Sequence, residues 1–185
     1  MDSHKPTPTH PALSALTFAS ERTVVSEQRT IVSEHGPDAY ERASYYNGIT
    51  GDGDHPELVY RSDSLTMPFP KPVGRFAHVP IKSLRGVFGT PLNKVWDTVG
   101  PQIRDIIKAQ KIQWSSISLA RFFTHGPPGE EKGSLGPVVI WIGVLPGSTS
   151  PDTAHDVSQQ ILALLRKHEV EGVVVEWTEA VSQRL

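Results

Sequence analysis

The residues whose spacing best suits a chemical task in this sequence are three cations, Arg104, Lys108 and Lys111. Spacings of four and three place them on one side of a helix, opposite an apolar side. Residues 71–111 hold eight Lys or Arg against two Asp, whereas the whole chain carries a net charge of −2. The sequence therefore predicts a polyanion-binding patch as one alternative, although such a stripe is ordinarily a solvated helix face and nucleic acid is not the expected partner.

Two Gly-rich segments resemble ligand or catalytic motifs, but each lacks a required part. In the loop at residues 125–134, Lys132 precedes its glycine and an apolar strand pattern follows, whereas a phosphate-binding loop leads into a helix. We expect a flexible hairpin connection there. The segment at residues 147–150 lies between a strand pattern and a helix pattern, but it lacks the second glycine of a nucleophile elbow. We expect its hydroxyls to cap the helix.

Histidine and aspartate occur together twice, and neither pair predicts a metal site. Asp52, Asp54 and His55 lack the ligand register of a calcium loop, so we expect a solvated turn. His155 and Asp156 are adjacent, and adjacent helical residues point about 100° apart. The chain has no cysteine, which excludes disulfides, thiolate–zinc sites and cysteine nucleophiles. The sequence assigns no catalytic residue, metal ligand or cofactor.

The clearest elements lie in the last third of the chain. An apolar, β-branched run at residues 138–145 predicts a buried strand. Ser150 and Pro151 then have the residue types of an N-cap and a first helical position, and an apolar stripe follows at helical spacing. Gly172 permits a turn into a second apolar run at residues 173–175. The pattern predicts a strand–helix–strand unit.

Upstream of this unit, the pattern predicts a further helix between two strands. Thr90 and Pro91 suit a helix start, and the Gly100–Pro101 pair is expected to break or kink that helix. A strand is predicted at residues 112–124, and a weaker one between Phe76 and the helix. The βαββαβ order predicts an α+β fold, a two-layer sandwich that is either ferredoxin-like or another two-layer arrangement.

The N-terminal part has a different composition from the rest. We predict a mobile, largely disordered arm and linker at residues 1–75 and an α+β domain at residues 76–185. A near-repeat at residues 20–32 and a short strand at residues 58–60 are possible local elements of the arm. No run approaches the ~18 apolar residues of a membrane span, and the start lacks the apolar core of a signal peptide. An intracellular protein, cytoplasmic or nuclear, is expected.

Several motifs carry a resemblance that covers about residues 56–181. They are RGVFG at 85–89, LNKVW at 92–96, VGPQIRD at 99–105, GPVVIWIGV at 136–144 and PGSTS at 146–150. In these the chain resembles a family of fungal hypothetical proteins, whose longer members continue into a part similar to trypsin-like peptidases. The resemblance implies an N-terminal accessory domain of that architecture. This sequence ends at Leu185, before any such part, so no peptidase residue is assigned.

The absence of an assembled motif favours a non-catalytic accessory or protein-interaction domain, whose partner is another protein or a neighbouring domain. Two alternatives stay open: a hydrolase or hydrolase fragment with dispersed active groups, and polyanion binding through residues 71–111. A partner-binding domain should show an exposed apolar patch and no deep polar pocket. An enzyme should bring several titratable groups together in a cleft.

Overall fold

The computed structural model of this chain describes residues 33–51, 55–74, 78–127, 129 and 132–179, and the near-repeat at residues 20–32 lies outside them. The predicted mobility of residues 1–32 also concerns residues outside these ranges. The described elements, in chain order, are α1 Ala39–Ser44, β1 Glu57–Arg61, β2 Lys82–Arg85, α2 Pro91–Ala109, β3 Trp114–Thr124, β4 Ser134–Leu135, β5 Val138–Val144, α3 Pro151–Lys167 and β6 Val173–Glu179.

The strands form one mixed sheet in the order β1-β6-β5-β3-β2, with β4 paired to the end of β3. Strands β5 and β6 are parallel and are joined by α3, while the other pairs are antiparallel. The α+β class is thus confirmed. In a split βαβ unit another strand separates the two that the helix connects. Because β5 and β6 are direct neighbours, the arrangement is the other two-layer alternative rather than the ferredoxin-like one.

Helices α2 and α3 cover one face of the sheet and close the larger core. Alternate side chains of β5 and β6 point to this face because successive residues of a strand point to opposite sides. Trp177 is fully buried there, and its indole Nε1 donates a hydrogen bond to Ser158 Oγ at 2.8 Å. The fully buried aliphatic side chains of this core include Ile140, Ile142, Val175, Val99, Ile103, Ile107, Val157 and Ile161.

The opposite face of the sheet is covered by residues that the composition assigned to the arm and linker. Tyr45 and Tyr46 follow α1 directly, and they pack with Leu58, Phe122 and residues of β5 and β6. The predicted short strand at residues 58–60 is present as β1, an edge strand paired with β6. The folded body therefore extends toward the N terminus beyond the predicted boundary near residue 76, because long-range contacts order a segment that has no periodic pattern of its own.

Helix α2 is not broken at Pro101, because it runs as one helix from Pro91 to Ala109. Proline removes one helical donor, which leaves the carbonyl of Asp97 without its usual partner. Pro101 and Asp97 lie on the exposed side of α2, where water can bind that carbonyl. The buried side, with Val99 and Ile103 packed against the sheet, holds the two halves together.

Helix α3 begins as predicted. Ser150 Oγ accepts a hydrogen bond from the Thr153 amide at 3.1 Å, and Pro151 is the first helical residue. The hydroxyl therefore satisfies one of the amides that a helix start leaves unpaired. Within the described part of the chain, no helix is long and apolar enough to span a membrane.

Candidate functional site

A cavity lies on the sheet face that the N-terminal segment covers. Its volume is about 190 Å³, and it is enclosed by the Pro-rich segment at residues 67–70, by β2 and by the start of β5. The rim includes Met67, which is 67% exposed, and Phe69 forms part of the wall. The polar residues that line it are Tyr45, Arg61, Asp63, Lys82, Thr124, Ser134 and Glu176. Six of the seven, all but Ser134, are at least partly buried.

Lys82 is the first residue of β2 and is only 7% exposed. Its amide donates to the Asn47 carbonyl at 2.8 Å, so the covering segment holds the strand at this point. The side-chain Nζ lies 3.0 Å from the ring centroid of Tyr45. Three other rings lie within 6 Å of Nζ, those of Phe122, Tyr46 and Phe69. The lysine thus enters a cage of aromatic rings, which favours a cation.

Glu176, in the middle of β6, is the buried acid of the same cluster and is 2% exposed. Tyr45 donates its hydroxyl to Oε1 at 2.7 Å, and Tyr46 donates to Oε2 at 2.8 Å. Burial raises the pKa of Glu176, while the charge of Lys82 and the two tyrosine hydrogen bonds act in the opposite direction. Burial, together with the nearby Glu176 carboxylate, raises the pKa of both tyrosines well above 10. The tyrosines therefore remain hydrogen-bond donors across the physiological pH range.

Arg61 closes the other side of the cluster. Its Nε donates to Glu41 at 2.6 Å and its Nη1 donates to Asp63 at 2.8 Å. The guanidinium also lies 5.2 Å from the Tyr45 ring centroid, so this ring is in contact with two cations. Arg61 is 3% exposed, and two carboxylates compensate its charge.

Lys82 differs from Arg61 because no described residue offers its ammonium group a hydrogen-bond acceptor. Among the described residues it forms neither a hydrogen bond nor an ion pair. Burial lowers the pKa of Lys82 from 10.5 to about 8, the charge of Glu176 opposes this effect, and Arg61 adds to it. Buried polar groups are normally hydrogen-bonded. A buried amine at the wall of a cavity, with no hydrogen-bond acceptor in the described part of the chain, therefore suits an oxygen atom supplied by a ligand.

The predicted cations Arg104, Lys108 and Lys111 are all exposed on α2 or just after it, on the side away from the core. Arg104 Nε donates to Asp105 at 3.3 Å. Lys82 belongs to the same basic stretch of sequence but lies in the buried cluster on the other face of the sheet. The basic residues of this stretch therefore lie on two different surfaces. Their clustering in the sequence does not show which of them are buried.

The other Gly-rich and histidine–aspartate motifs of the sequence either connect or contact structural elements or lie outside the described residues. The loop at residues 125–134 joins the antiparallel strands β3 and β4. His155 Nδ1 lies 3.0 Å from the Tyr60 hydroxyl, and its ring stacks on His35 at 3.7 Å. Asp52 and Asp54 lie outside the described residues. In the ranges that the structure describes, no group of three or more His, Asp or Glu side chains is arranged to hold a metal ion.

A serine–histidine contact also occurs that sequence reasoning missed. Ser83 Oγ, near the start of β2, is hydrogen-bonded to Nε2 of the exposed His125. A serine nucleophile needs a base that a third group orients. No carboxylate from the described part of the chain contacts His125. The pair therefore provides two of the three parts that a hydrolase site of this kind requires.

Comparisons of this chain with models of protein families, with curated proteins and with solved structures found no match. The candidate function therefore depends on the geometry of the site. Of the arrangements described above, the cavity at Lys82 and Glu176 brings the largest number of buried titratable groups together.

Proposed function

We propose that this domain binds a small molecule that has an apolar body and a carbonyl or carboxylate oxygen, in the cavity beside Lys82. The observation that carries the proposal is a buried amine that lines a cavity and has no acceptor among the described residues. A ligand oxygen would accept its hydrogen bond beside buried, mostly apolar side chains, where bonds from a charged donor are strong.

The walls of the cavity support an apolar ligand body. Phe69, Phe122 and Val139 line it together with four prolines, and a small number of polar groups is placed among them. This composition is typical of small-molecule sites, in which apolar walls provide affinity and a few polar groups fix the orientation. The volume of about 190 Å³ limits the occupant to a compact molecule, such as one substituted ring.

The other charged groups of the cavity already have hydrogen-bond partners, so the oxygen end of the ligand is expected to face Lys82. Glu176 already accepts two hydrogen bonds, and Arg61 already donates to two carboxylates. Lys82 is thus the charged group whose hydrogen bonds are left for a ligand. This proposal differs from the expected protein-interaction role, because several titratable groups line one cavity.

Benzamide and benzoate are suitable probes, because each has one ring and one oxygen acceptor. We expect both to cause saturable amide shifts in a ¹H–¹⁵N NMR titration, centred on β2, residues 134–139 and Tyr45. Lys82→Met should weaken binding by about tenfold to hundredfold, since a hydrogen bond from a charged donor is lost. Lys108→Met removes an exposed lysine from α2 and should leave the affinity unchanged.

Benzylamine has the same ring but only a donor group, and we expect no saturable binding. The amide spectra of both variants verify that they are folded. The proposal fails if neither oxygen-bearing probe shifts the cavity residues of the wild-type protein. It also fails if Lys82→Met, with a native spectrum, binds both probes as tightly as the wild type.

Binding of a protein partner is a second candidate function. The surface that favours it is the outer edge of the sheet at β2, not the cavity. Arg85 and Arg121 lie directly opposite each other in the β2–β3 pair, and neither forms an ion pair with a described residue. Like charges in this position destabilise a sheet. The backbone groups of Leu84 point away from β3, and Phe88, just beyond β2, is 87% exposed. We propose that an acidic, extended peptide segment pairs with the edge of β2 at Leu84, beyond the position where Asn47 binds the Lys82 amide.

This second candidate predicts that a fluorescently labelled peptide of alternating valine and glutamate binds the protein. Arg85→Glu with Arg121→Glu should abolish the anisotropy change, because repulsion replaces attraction. Arg104→Glu with Lys108→Glu is the matched control on α2 and should leave binding intact. Loss of binding only in this control pair would instead support the polyanion alternative, and retention of binding in the Arg85/Arg121 variant would contradict the second candidate.

A further inference from the structure

The chemistry of Lys82 narrows the class of ligand beyond a simple oxygen acceptor. We propose that the cavity accepts an aldehyde or a ketone, and that Lys82 Nζ captures its carbonyl carbon as a reversible imine. This inference rests on the proposed function, since the carbonyl compound must first occupy the cavity. Its geometric basis is the position of a primary amine on the cavity wall, with no oxygen or nitrogen acceptor among the described residues to hold its hydrogen atoms.

An amine attacks a carbonyl carbon only when it is neutral, because the ammonium form has no lone pair. Burial lowers the pKa of Lys82 to about 8. About half of the Lys82 side chains are therefore neutral at pH 8, whereas an unperturbed lysine at that pH is neutral in well under one molecule in a hundred. Desolvated lysines in apolar surroundings are activated as nucleophiles in this way.

The charged groups around Lys82 come from three elements of the fold. Glu176 on β6 favours the ammonium form, and Arg61 at the end of β1 disfavours it. Asp63, which follows β1, and Glu41 on α1 favour the ammonium form less strongly. Burial outweighs these contributions, so the neutral amine is accessible near physiological pH.

The reaction needs no oxidant, reductant or cofactor. The nitrogen lone pair forms a C–N bond while the carbonyl π pair moves to oxygen, which takes up a proton as nitrogen loses one. The resulting carbinolamine hydroxyl is protonated and leaves as water while the nitrogen lone pair forms the C=N bond, and the nitrogen then loses its second proton, which replaces the one consumed.

The competing interpretation is that Lys82 is a permanent cation held by the Tyr45 ring for stability alone. The 3.0 Å distance from Nζ to the ring centroid is compatible with that interpretation. The two interpretations differ in one measurable property, which is the reactivity of this amine relative to an exposed lysine. A structural cation would react more slowly than a surface lysine because it is buried.

Benzaldehyde with sodium cyanoborohydride tests the inference on the wild-type protein, because the reductant converts the imine into a stable secondary amine. Peptide mapping by mass spectrometry then gives the labelling rate of each lysine between pH 6 and pH 9. We expect Lys82 to be labelled at least about tenfold faster than Lys108 at pH 7. The ratio of the Lys82 rate to the Lys108 rate should be constant below about pH 7 and should fall above about pH 8, because Lys82 is then mostly neutral while the neutral fraction of Lys108 still rises.

Excess benzamide, which occupies the cavity without forming an imine, should slow the labelling of Lys82 but not that of Lys108. Labelling of Lys82 no faster than Lys108 would overturn the inference, as would rapid labelling that benzamide does not slow. If benzamide binds the cavity while Lys82 stays unlabelled, the inference fails and the proposed function stands. If benzamide does not bind and Lys82 stays unlabelled, both fail.

Discussion

Replacing Glu176 with leucine is expected to lower the free energy of unfolding by about 3 to 5 kcal/mol at pH 7. The leucine fills a similar volume, so the loss is electrostatic rather than a cavity effect. Two tyrosine hydroxyls, of Tyr45 and Tyr46, lose their acceptor, and the buried Lys82 loses the carboxylate that favours its charged form. Each orphaned polar group has a cost because it cannot return to water. Urea unfolding, followed by circular dichroism, measures the change.

Two further variants separate this electrostatic effect from a general loss of packing. Lys82→Met combined with Glu176→Leu should recover only the part of the lost stability that comes from the uncompensated lysine, because the Tyr45 and Tyr46 hydroxyls still lack their acceptor. Glu171→Leu, at an exposed position just before β6, should change stability by no more than about 0.5 kcal/mol. A Glu176→Leu variant as stable as the wild type would contradict the claim that Glu176 stabilises the fold through this buried polar cluster.

Replacing Trp177 with alanine should also destabilise the fold by about 3 to 5 kcal/mol. Trp177 is the largest of the fully buried side chains, and it lies on the helix-covered face of β6 between the sheet and α3. The variant would leave a large void and would leave Ser158 Oγ without the indole donor. Thermal and urea unfolding should both detect the loss.

The chain offers matched controls for this second change. Trp96 and Trp114 are only partly buried at the margin of the same core, so alanine there should have a clearly smaller effect. Ser158→Ala keeps the packing but removes the acceptor of the indole N–H, and it should cost about 1 to 3 kcal/mol. Equal losses of unfolding free energy for the alanine variants of Trp177 and Trp96 would contradict the placement of Trp177 inside the core and of Trp96 at its margin.

The helix-covered half of the fold follows from local sequence signals. The apolar runs of β5 and β6, and the cap and proline at the start of α3, each predict the element that is present. These signals agree because each segment buries a continuous stripe or face against the others. The sequence does not predict that β5 and β6 are direct neighbours in the sheet, since strand order depends on contacts between distant segments.

The candidate site was missed for the same reason. Tyr45 and Glu176 are 131 residues apart in the sequence, and a segment without periodicity brings them together. Lys82 lies in a stretch of basic residues, and its burial depends on the face to which β2 directs it. One local signal was present, because Glu176 is an acid in the middle of the apolar run of β6. A charge in such a position is rarely buried without partners.

A crystal structure of the protein grown with benzamide would test the central claim most directly. The account predicts the ring between Phe69 and Phe122, and the amide oxygen at hydrogen-bond distance, about 2.7 to 3.2 Å, from Lys82 Nζ. Benzamide bound only at other surfaces, with Lys82 still over the Tyr45 ring and the cavity unchanged, would contradict the account.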